Sequence, residues 1–291
     1  MVDNIRPLSG DDIPAIIEMT ENVWGGNDYV SVALEFWLKD PNSNPSVVER
    51  QGEVIGVANV RMMDGKRTGW MEGIRVHPEH RNEGLGRELT AYMVRQAKSM
   101  GAKRVRLITA FRNVAAVKLA GDAGLRPILS MNAFWKGGLS EINWSNNEGD
   151  VSRIDAEELT DVIADHQALI PEGVLVYHWD AVDADATGLE SASSETDYWI
   201  TQRDEEVVAI STGLVFVSPR EREWFATVYP SDSSSFLRSF SHHLGLALEN
   251  ECDTLVSIHP PRYTSLYEEE EVLKERPHEI EIGLFEMGLE D

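Results

Sequence analysis

A strand that stops at a proline and passes almost directly into a glycine-opened helix constrains this chain more than any other feature. Trp70 to Val76 reads as that strand, ending at His77-Pro78. The run Arg81-Asn82-Glu83-Gly84-Leu85-Gly86 then opens an amphipathic helix reaching about Met100, with Leu85, Leu89, Tyr92, Met93 and Met100 on one face. The consecutive amides from Asn82 to Arg87 surround that helix start. Hydrogen bonds from such amides, together with the helix dipole, suit a pyrophosphate. Glycine at 84 and 86 keeps a Cβ from intruding between backbone and phosphate, and Arg81 and Arg87 add positive charge. The plain alternative is an ordinary glycine-containing strand–helix turn. A Rossmann site is disfavoured, because its third glycine would fall at Leu89. A Walker A loop is excluded, because the chain holds no Gly-Lys-Ser/Thr.

The flanking pattern alternates strands and helices. Ile5 to Ser9 reads as a strand, a helix starts at Asp11-Asp12-Ile13-Pro14, and a second helix covers Val30 to Leu38. Ser46 to Arg50 and Val54 to Val60 flank Gln51-Gly52-Glu53 as a hairpin. After the long helix come a buried-type strand, Val105 to Thr109, a helix from about Asn113 to Asp122, and a last strand of this half beginning at Gly124 to Ile128. The polar stretch Ser140 to Gly149 reads as a linker. Beyond it the order returns: a strand and helix over Ser152 to His166, a hairpin over Trp199 to Ile210, a strand from Trp224 to Pro230, a helix from about Ser234 to Glu249, and a strand from Thr254 to Ile258. Val228-Tyr229-Pro230 falls on Val76-His77-Pro78 at an offset of 152. This is the signature of a diverged duplication.

Charge divides the chain the same way. Residues 1–138 hold 18 Lys and Arg against 16 Asp and Glu, a net of +2, whereas residues 139–291 hold 8 against 34, a net of −26. The first half can accept an anion; the second would repel nucleic acid and anionic membranes. Its acidity reads as surface solvation, as in a salt-rich cytoplasm, or as steering of a cationic substrate. Cys252 is alone, so no internal disulfide and no cysteine zinc cage is expected. No apolar run approaches the ~18 residues of a membrane span, and the N-terminus lacks a secretory pattern. A soluble cytoplasmic protein with no metal, no nucleic-acid partner and no membrane partner is expected, and a homodimer is compatible with all of this.

On these residues the chain resembles the GNAT acetyltransferase superfamily over about residues 5–135. Glu72-Gly73-Ile74-Arg75-Val76, His77-Pro78-Glu79-His80 and Arg81 to Gly86 are similar to its Arg/Gln-x-x-Gly-x-Gly/Ala signature in register after a fourth strand. Asn113 to Leu119, followed by Ala123-Gly124-Leu125-Arg126-Pro127, resembles its Asn-x-x-Ala…Gly-Phe signature. Met71-Glu72-Gly73-Ile74 also resembles small-molecule acetyltransferases, including aminoglycoside and histidine N-acetyltransferases. The resemblance implies an α/β fold with a mixed sheet: a GNAT domain over 1–139 that binds acetyl-CoA, then an acidic, diverged GNAT-like domain over 150–291.

The same resemblance implies the site. Backbone groups of Ile74 and Val76, with Arg75 between them, would pair with pantetheine where the fourth strand splays from the fifth. Arg81, Asn82, Glu83, Gly84, Leu85, Gly86 and Arg87 would hold the pyrophosphate. Asn113 would lie near the coenzyme arm or serve as a helix N-cap. Glu72, placed by strand alternation on the face of Ile74 and Val76, would act as base, anchor a substrate ammonium, or form a salt bridge to Arg61 or Arg75. A Tyr that usually donates a proton to the leaving thiolate is replaced by Ala120; water, Tyr229 or Tyr263 would substitute. In the second half Phe236 and Arg238 stand where Gly84 and Gly86 do, so that half is expected to lack the phosphate loop and to complete the substrate cleft or the core. His242-His243 points two imidazoles to different helix faces, and Glu268 to Glu271 reads as a solvated face. The expected activity is transfer of an acetyl group from acetyl-CoA to a primary amine of a small molecule or amino acid, by direct attack in a ternary complex. The alternatives are acetylation of a protein N-terminus or lysine, and a non-catalytic CoA-binding regulator.

Overall fold

One hairpin in each half of the chain turns on the same device, a two-residue turn with both residues at positive φ. Gln51 and Gly52 lie at 56° and 88°, and Asp204 and Glu205 at 52° and 66°. That geometry matches the right-handed twist of the flanking strands. The structure, a computed structural model, describes residues 4–26, 28–139, 150–217, 221–266 and 278–289. Up to residue 139 the elements are β1 (Asn4–Pro7), α1 (Ile13–Thr20), α2 (Val30–Lys39), β2 (Ser46–Arg50), β3 (Glu53–Met63), β4 (Thr68–Val76), α3 (Leu85–Ser99), β5 (Arg104–Ala110), α4 (Val114–Asp122) and β6 (Arg126–Gly137). From residue 150 they are β7 (Val151–Ile154), α5 (Ala156–Asp165), β8 (Val174–Tyr177), β9 (Asp180–Asp183), α6 (Ala186–Ala192), β10 (Asp197–Arg203), β11 (Glu206–Val217), β12 (Arg222–Pro230), α7 (Ser233–Glu249), β13 (Thr254–His259) and β14 (His278–Gly288).

The chain forms two compact units. The first comprises residues 1–107, 114–126 and the end of the chain from Phe285; the second comprises 108–113 and 127–284. In the first unit β1, β2, β3 and β4 pair antiparallel in that order, and β4 pairs parallel with β5. α1 and α2 bury Ile16, Met19, Val30, Leu34 and Trp37 against Val47 and Val57 of the sheet. α3 packs against β3 and β4, its apolar stripe Leu85, Leu89 and Met93 fully enclosed. The carboxylate of Asp64, 0% exposed, accepts a 2.6 Å bond from the Thr68 hydroxyl, and Arg104 and Arg106 face it at 3.5 and 3.6 Å. Arg106 is also bound to Glu286 at 2.7 Å, so this buried charge is matched on every side.

The second unit repeats the order. β7, β10, β11 and β12 pair antiparallel, and β12 pairs parallel with β13 across the α7 connection. α7 buries Phe236, Phe240 and Leu244 with Trp199, Trp224 and Leu255. β6, expected as the last strand of the first half, instead pairs antiparallel with β13. Short-range pattern identifies β6 as a strand but says nothing about its partner. The hairpin β8–β9 has no counterpart in the first unit's element order. The expected linker at Ser140 to Gly149 and the Glu268 to Glu271 face lie outside the described residues. Among the described residues no helix is long and apolar enough to cross a membrane, and no group of His, Cys, Asp and Glu is arranged to hold a metal ion.

Candidate active site

β3 and β4 pair Val57 with Arg75 and then Asn59 with Glu72. Gly73 and Ile74 therefore stand opposite the single residue Ala58, which makes a β-bulge. Gly73 supplies the left-handed conformation it needs, at φ 67°. The extra residue shifts the alternation by one, so Glu72 shares a face with Arg75, across from Asn59 and Val57, and not with Ile74 and Val76 as regular alternation predicts. That face is the one covered by α1 and α2, because Val57 packs with Leu34 and Trp37. A Cβ on Gly73 would lie 2.2 Å from the Trp37 ring. Gly73→Ala is expected to destabilise the protein by about 3 kcal/mol, through overpacking and left-handed strain. A lowered urea midpoint at unchanged m checks it.

Around Glu72 the bulge collects side chains from far along the chain. The Asn59 amide donates to Glu72 Oε1 at 2.7 Å. The Tyr29 hydroxyl accepts the Gly73 amide at 2.9 Å. Arg75 grips Asp28 with two bonds of 2.7 Å and lies over the Tyr29 ring, 5.5 Å from its centre. Tyr29 keeps 36% of its surface exposed while its hydroxyl is enclosed. That burial, with the Glu72 charge beside it, pushes its ionisation upward, so the phenol stays neutral. The Arg75 guanidinium pairs with Asp28 at 2.7 Å.

The parallel register of β4 with β5 covers Thr68 to Trp70 against Arg104 to Arg106. Past Trp70, among the described residues, β4 pairs with β3 alone. The Ile74 carbonyl accepts Arg75 Nη1 at 3.0 Å, and the Val76 carbonyl accepts Arg81 Nε at 3.5 Å. Ile74 and Val76 thus offer backbone along the half of β4 that β5 does not cover, whereas the Arg75 side chain turns back to Asp28.

The loop from His77 to Gly84 delivers the start of α3. Asn82 and Gly84 both take positive φ, 67° and 92°. Gly84 is the N-cap and offers no side-chain acceptor, so the first amides of α3, at Leu85, Gly86 and Arg87, have neither an intrahelical nor a side-chain cap partner. A Cβ on Gly84 would meet nothing within 4 Å, so its glycine serves the turn and leaves open space in front of the amides. At Gly86 a Cβ would sit 3.1 Å from Leu119 Cδ1, so this glycine also allows α3 to approach α4. Leu85 is 3% exposed and contributes backbone only. Arg81 is exposed, and Arg87 is exposed and paired with Asp122 at 2.9 Å. Glu83, an acid in this loop, is paired with Arg50 at 2.7 Å, and that bond holds its carboxyl below the usual range. Arg50, Asp28, Tyr29 and Asn59 were not singled out from sequence; each meets its partner across 13 residues or more.

α7 of the second unit starts in the opposite way. The Asp232 carboxylate caps it by accepting the Ser235 amide at 2.8 Å, and Ser235 Oγ reaches back to the Asp232 amide at 3.1 Å. Phe236 is fully buried. This helix start is closed by its own anion. Asn113 precedes α4 in the segment grouped with the second unit, and its amide donates to the Ala110 carbonyl at 2.9 Å. Ala120 is completely enclosed. The two expected substitutes for its missing hydroxyl are occupied structurally: Tyr229 O–H, buried, accepts the Val176 amide at 2.6 Å, and Tyr263 O–H donates to the Pro230 carbonyl at 2.8 Å. Both hydroxyls are engaged inside the second unit. His243 takes the Trp224 indole N–H on Nδ1, and complete burial pushes its ionisation down to about 3.

Residues 14–124 match the family model described as acetyltransferase (GNAT) family. Among curated proteins, histidine N-acetyltransferases of Scomber australasicus and Xenopus tropicalis are 30% and 29% identical over 89 and 83 residues, which is 31% and 28% of this chain. The match spans 26% of the length of each of those relatives. Among solved structures, a tandem GNAT protein from the clavulanic acid biosynthesis pathway aligns over the whole of both chains at 12% identity with a TM-score of 0.60. A GCN5-related N-acetyltransferase from Sphaerobacter thermophilus aligns over 98% of this chain and 95% of its own, at 14% identity and a TM-score of 0.60. The whole chain therefore has the tandem GNAT fold.

Proposed function

We propose that this chain, whose residues 14–124 match the GNAT acetyltransferase family model, is an N-acetyltransferase that moves an acetyl group from acetyl-CoA to a primary amine of a small molecule or amino acid. One observation carries the reading: of the two helices that connect parallel-paired strands, α3 begins with uncapped amides at a glycine, and α7 begins with a carboxylate. A diphosphate fits the first and is repelled by the second. The residues holding it would be the amides of Asn82 to Arg87, with Arg81 and Arg87 adding charge. Pantetheine would lie along Ile74 to Val76. Acetyl-CoA, when bound, supplies an acyl group activated as a thioester. Glu72 accepts the proton of the substrate ammonium, directly or through water, so that a neutral amine attacks. The neutral phenol of Tyr29 and the Asp28–Arg75 pair hold the bulge that presents Glu72. With Ala120 in place of a donor, the departing thiolate takes its proton from water, which its reference pKa of about 8.5 tolerates. The name of the similar histidine N-acetyltransferases favours an amino acid over a protein acceptor. Incubation with acetyl-CoA and a panel of amino acids, polyamines and an N-terminal peptide, followed by free thiol, tests the reading. Thiol release that depends on a small amine supports it; tight coenzyme binding without release across the panel supports the regulator.

A further inference from the structure

Asn59 is the polar residue of β3 that register places directly across from Glu72. It is 0% exposed. Its Nδ2 donates to Glu72 Oε1 at 2.7 Å and to Ser43 Oγ at 3.3 Å, so both N–H groups are spent. Its Oδ1 is buried with no hydrogen-bond partner. A buried carbonyl left unpaired is costly and uncommon. The amide therefore carries that cost in the one orientation that presents a donor, and no acceptor, to the carboxylate. An apolar side chain there would fill the core without it.

We infer that Asn59 is a positioning residue for Glu72, fixing the carboxylate at the bulge and favouring its charged form. The inference rests on the reading of Glu72 as base. A base that collects a proton from an ammonium must start ionised, and a donor bound to the ionised form maintains that state in a half-buried place. The bulge gives the pair its geometry: without the extra residue at Gly73, Glu72 and Arg75 would not share the face of Asn59. The other charged or titratable groups on this face are Tyr29 and Asp28 ahead of α2, Arg75 on β4 and Arg61 on β3. Arg104 and Arg106 follow from β5, both held by Asp64 and Glu286. Removing the Asn59 amide leaves all of these in place.

The titration needs no acceptor. The full chain is labelled with glutamate carrying ¹³C at Cδ, and the Glu72 resonance is assigned by its loss in Glu72→Gln. The carboxyl is then titrated in the native chain, in Asn59→Leu, which keeps the volume without the donor, and in Asn59→Ala, which is smaller, also lacks the donor, and covers a failure of the first to fold. The Glu72 midpoint is expected to rise by about one pH unit in either variant, with acetyl-CoA affinity unchanged. Midpoints within 0.2 unit of the native one, as a rough limit set by the ~1 unit shift sought, would overturn the inference. The thiol-release rate of Glu72→Gln separates the two layers. A native rate there removes the base reading, whereas a lost rate with an unmoved midpoint removes only the role of Asn59.

Discussion

Glu72→Gln is expected to lower kcat for acetyl transfer by about 10²- to 10⁴-fold, the range contributed by a positioned general base, while acetyl-CoA binds as it does to the native chain. Gln keeps the shape and the bond from the Asn59 amide to a side-chain oxygen, but it cannot accept a proton. The loss should be largest at neutral pH, where an aliphatic ammonium is almost wholly protonated, and should shrink toward pH 10 as the free amine appears in solution. This pH trend separates a base from an anchor. An anchor for the substrate ammonium would leave kcat nearly unchanged and raise KM. A rate equal to the native one at every pH would assign the proton to another group.

The second large effect is expected at the start of α3. Gly84→Val with Gly86→Val should weaken acetyl-CoA binding by about 100-fold or more. Charge-assisted hydrogen bonds contribute about 1.5–3 kcal/mol each, and about 2.7 kcal/mol is already 100-fold. The two positions act differently. Val at 84 would have to hold φ near 92°, which a β-branched residue resists, and would place its side chain in the open space before the amides. Val at 86 would push α3 away from Leu119 of α4 and rotate the amides off their common direction. Asp232→Ala, which uncaps α7 in the same chain, is the control: it should cost about 1 kcal/mol of stability and leave coenzyme affinity as it was. Calorimetric titration with acetyl-CoA, alongside melting curves, reads all three.

The parts of this architecture that depend on neighbours in sequence were legible there. Gln51-Gly52 announced its hairpin, Pro78 ended β4, and the run from Arg81 to Gly86 marked the start of α3. The resemblance to the GNAT superfamily rested on those same residues. What escaped were pairings. Alternation placed Glu72 with Ile74 and Val76, and one extra residue at Gly73 reversed that; a lone glycine in a strand does signal a bulge, but not its register. Asn59, Tyr29 and Asp28 reach the bulge from 13, 44 and 47 residues away, and no local pattern joins them. β6 was recognisable as a strand, but its partner, β13, lies more than 100 residues on. β8 and β9 were missed because His178-Trp179, with His178 at φ 51°, lacks the glycine or asparagine of a usual two-residue turn. The hydroxyls of Tyr229 and Tyr263 meet the Val176 amide and the Pro230 carbonyl, 53 and 33 residues away, and no local pattern reveals those partners either.

A crystal structure with acetyl-CoA bound probes the difference between the two helix starts most directly. The diphosphate should rest on the amides of Leu85, Gly86 and Arg87 in front of Gly84, with pantetheine along Ile74 to Val76 and the thioester end toward Glu72. A diphosphate held by arginine side chains alone, or seated at Asp232 ahead of α7, would contradict the account.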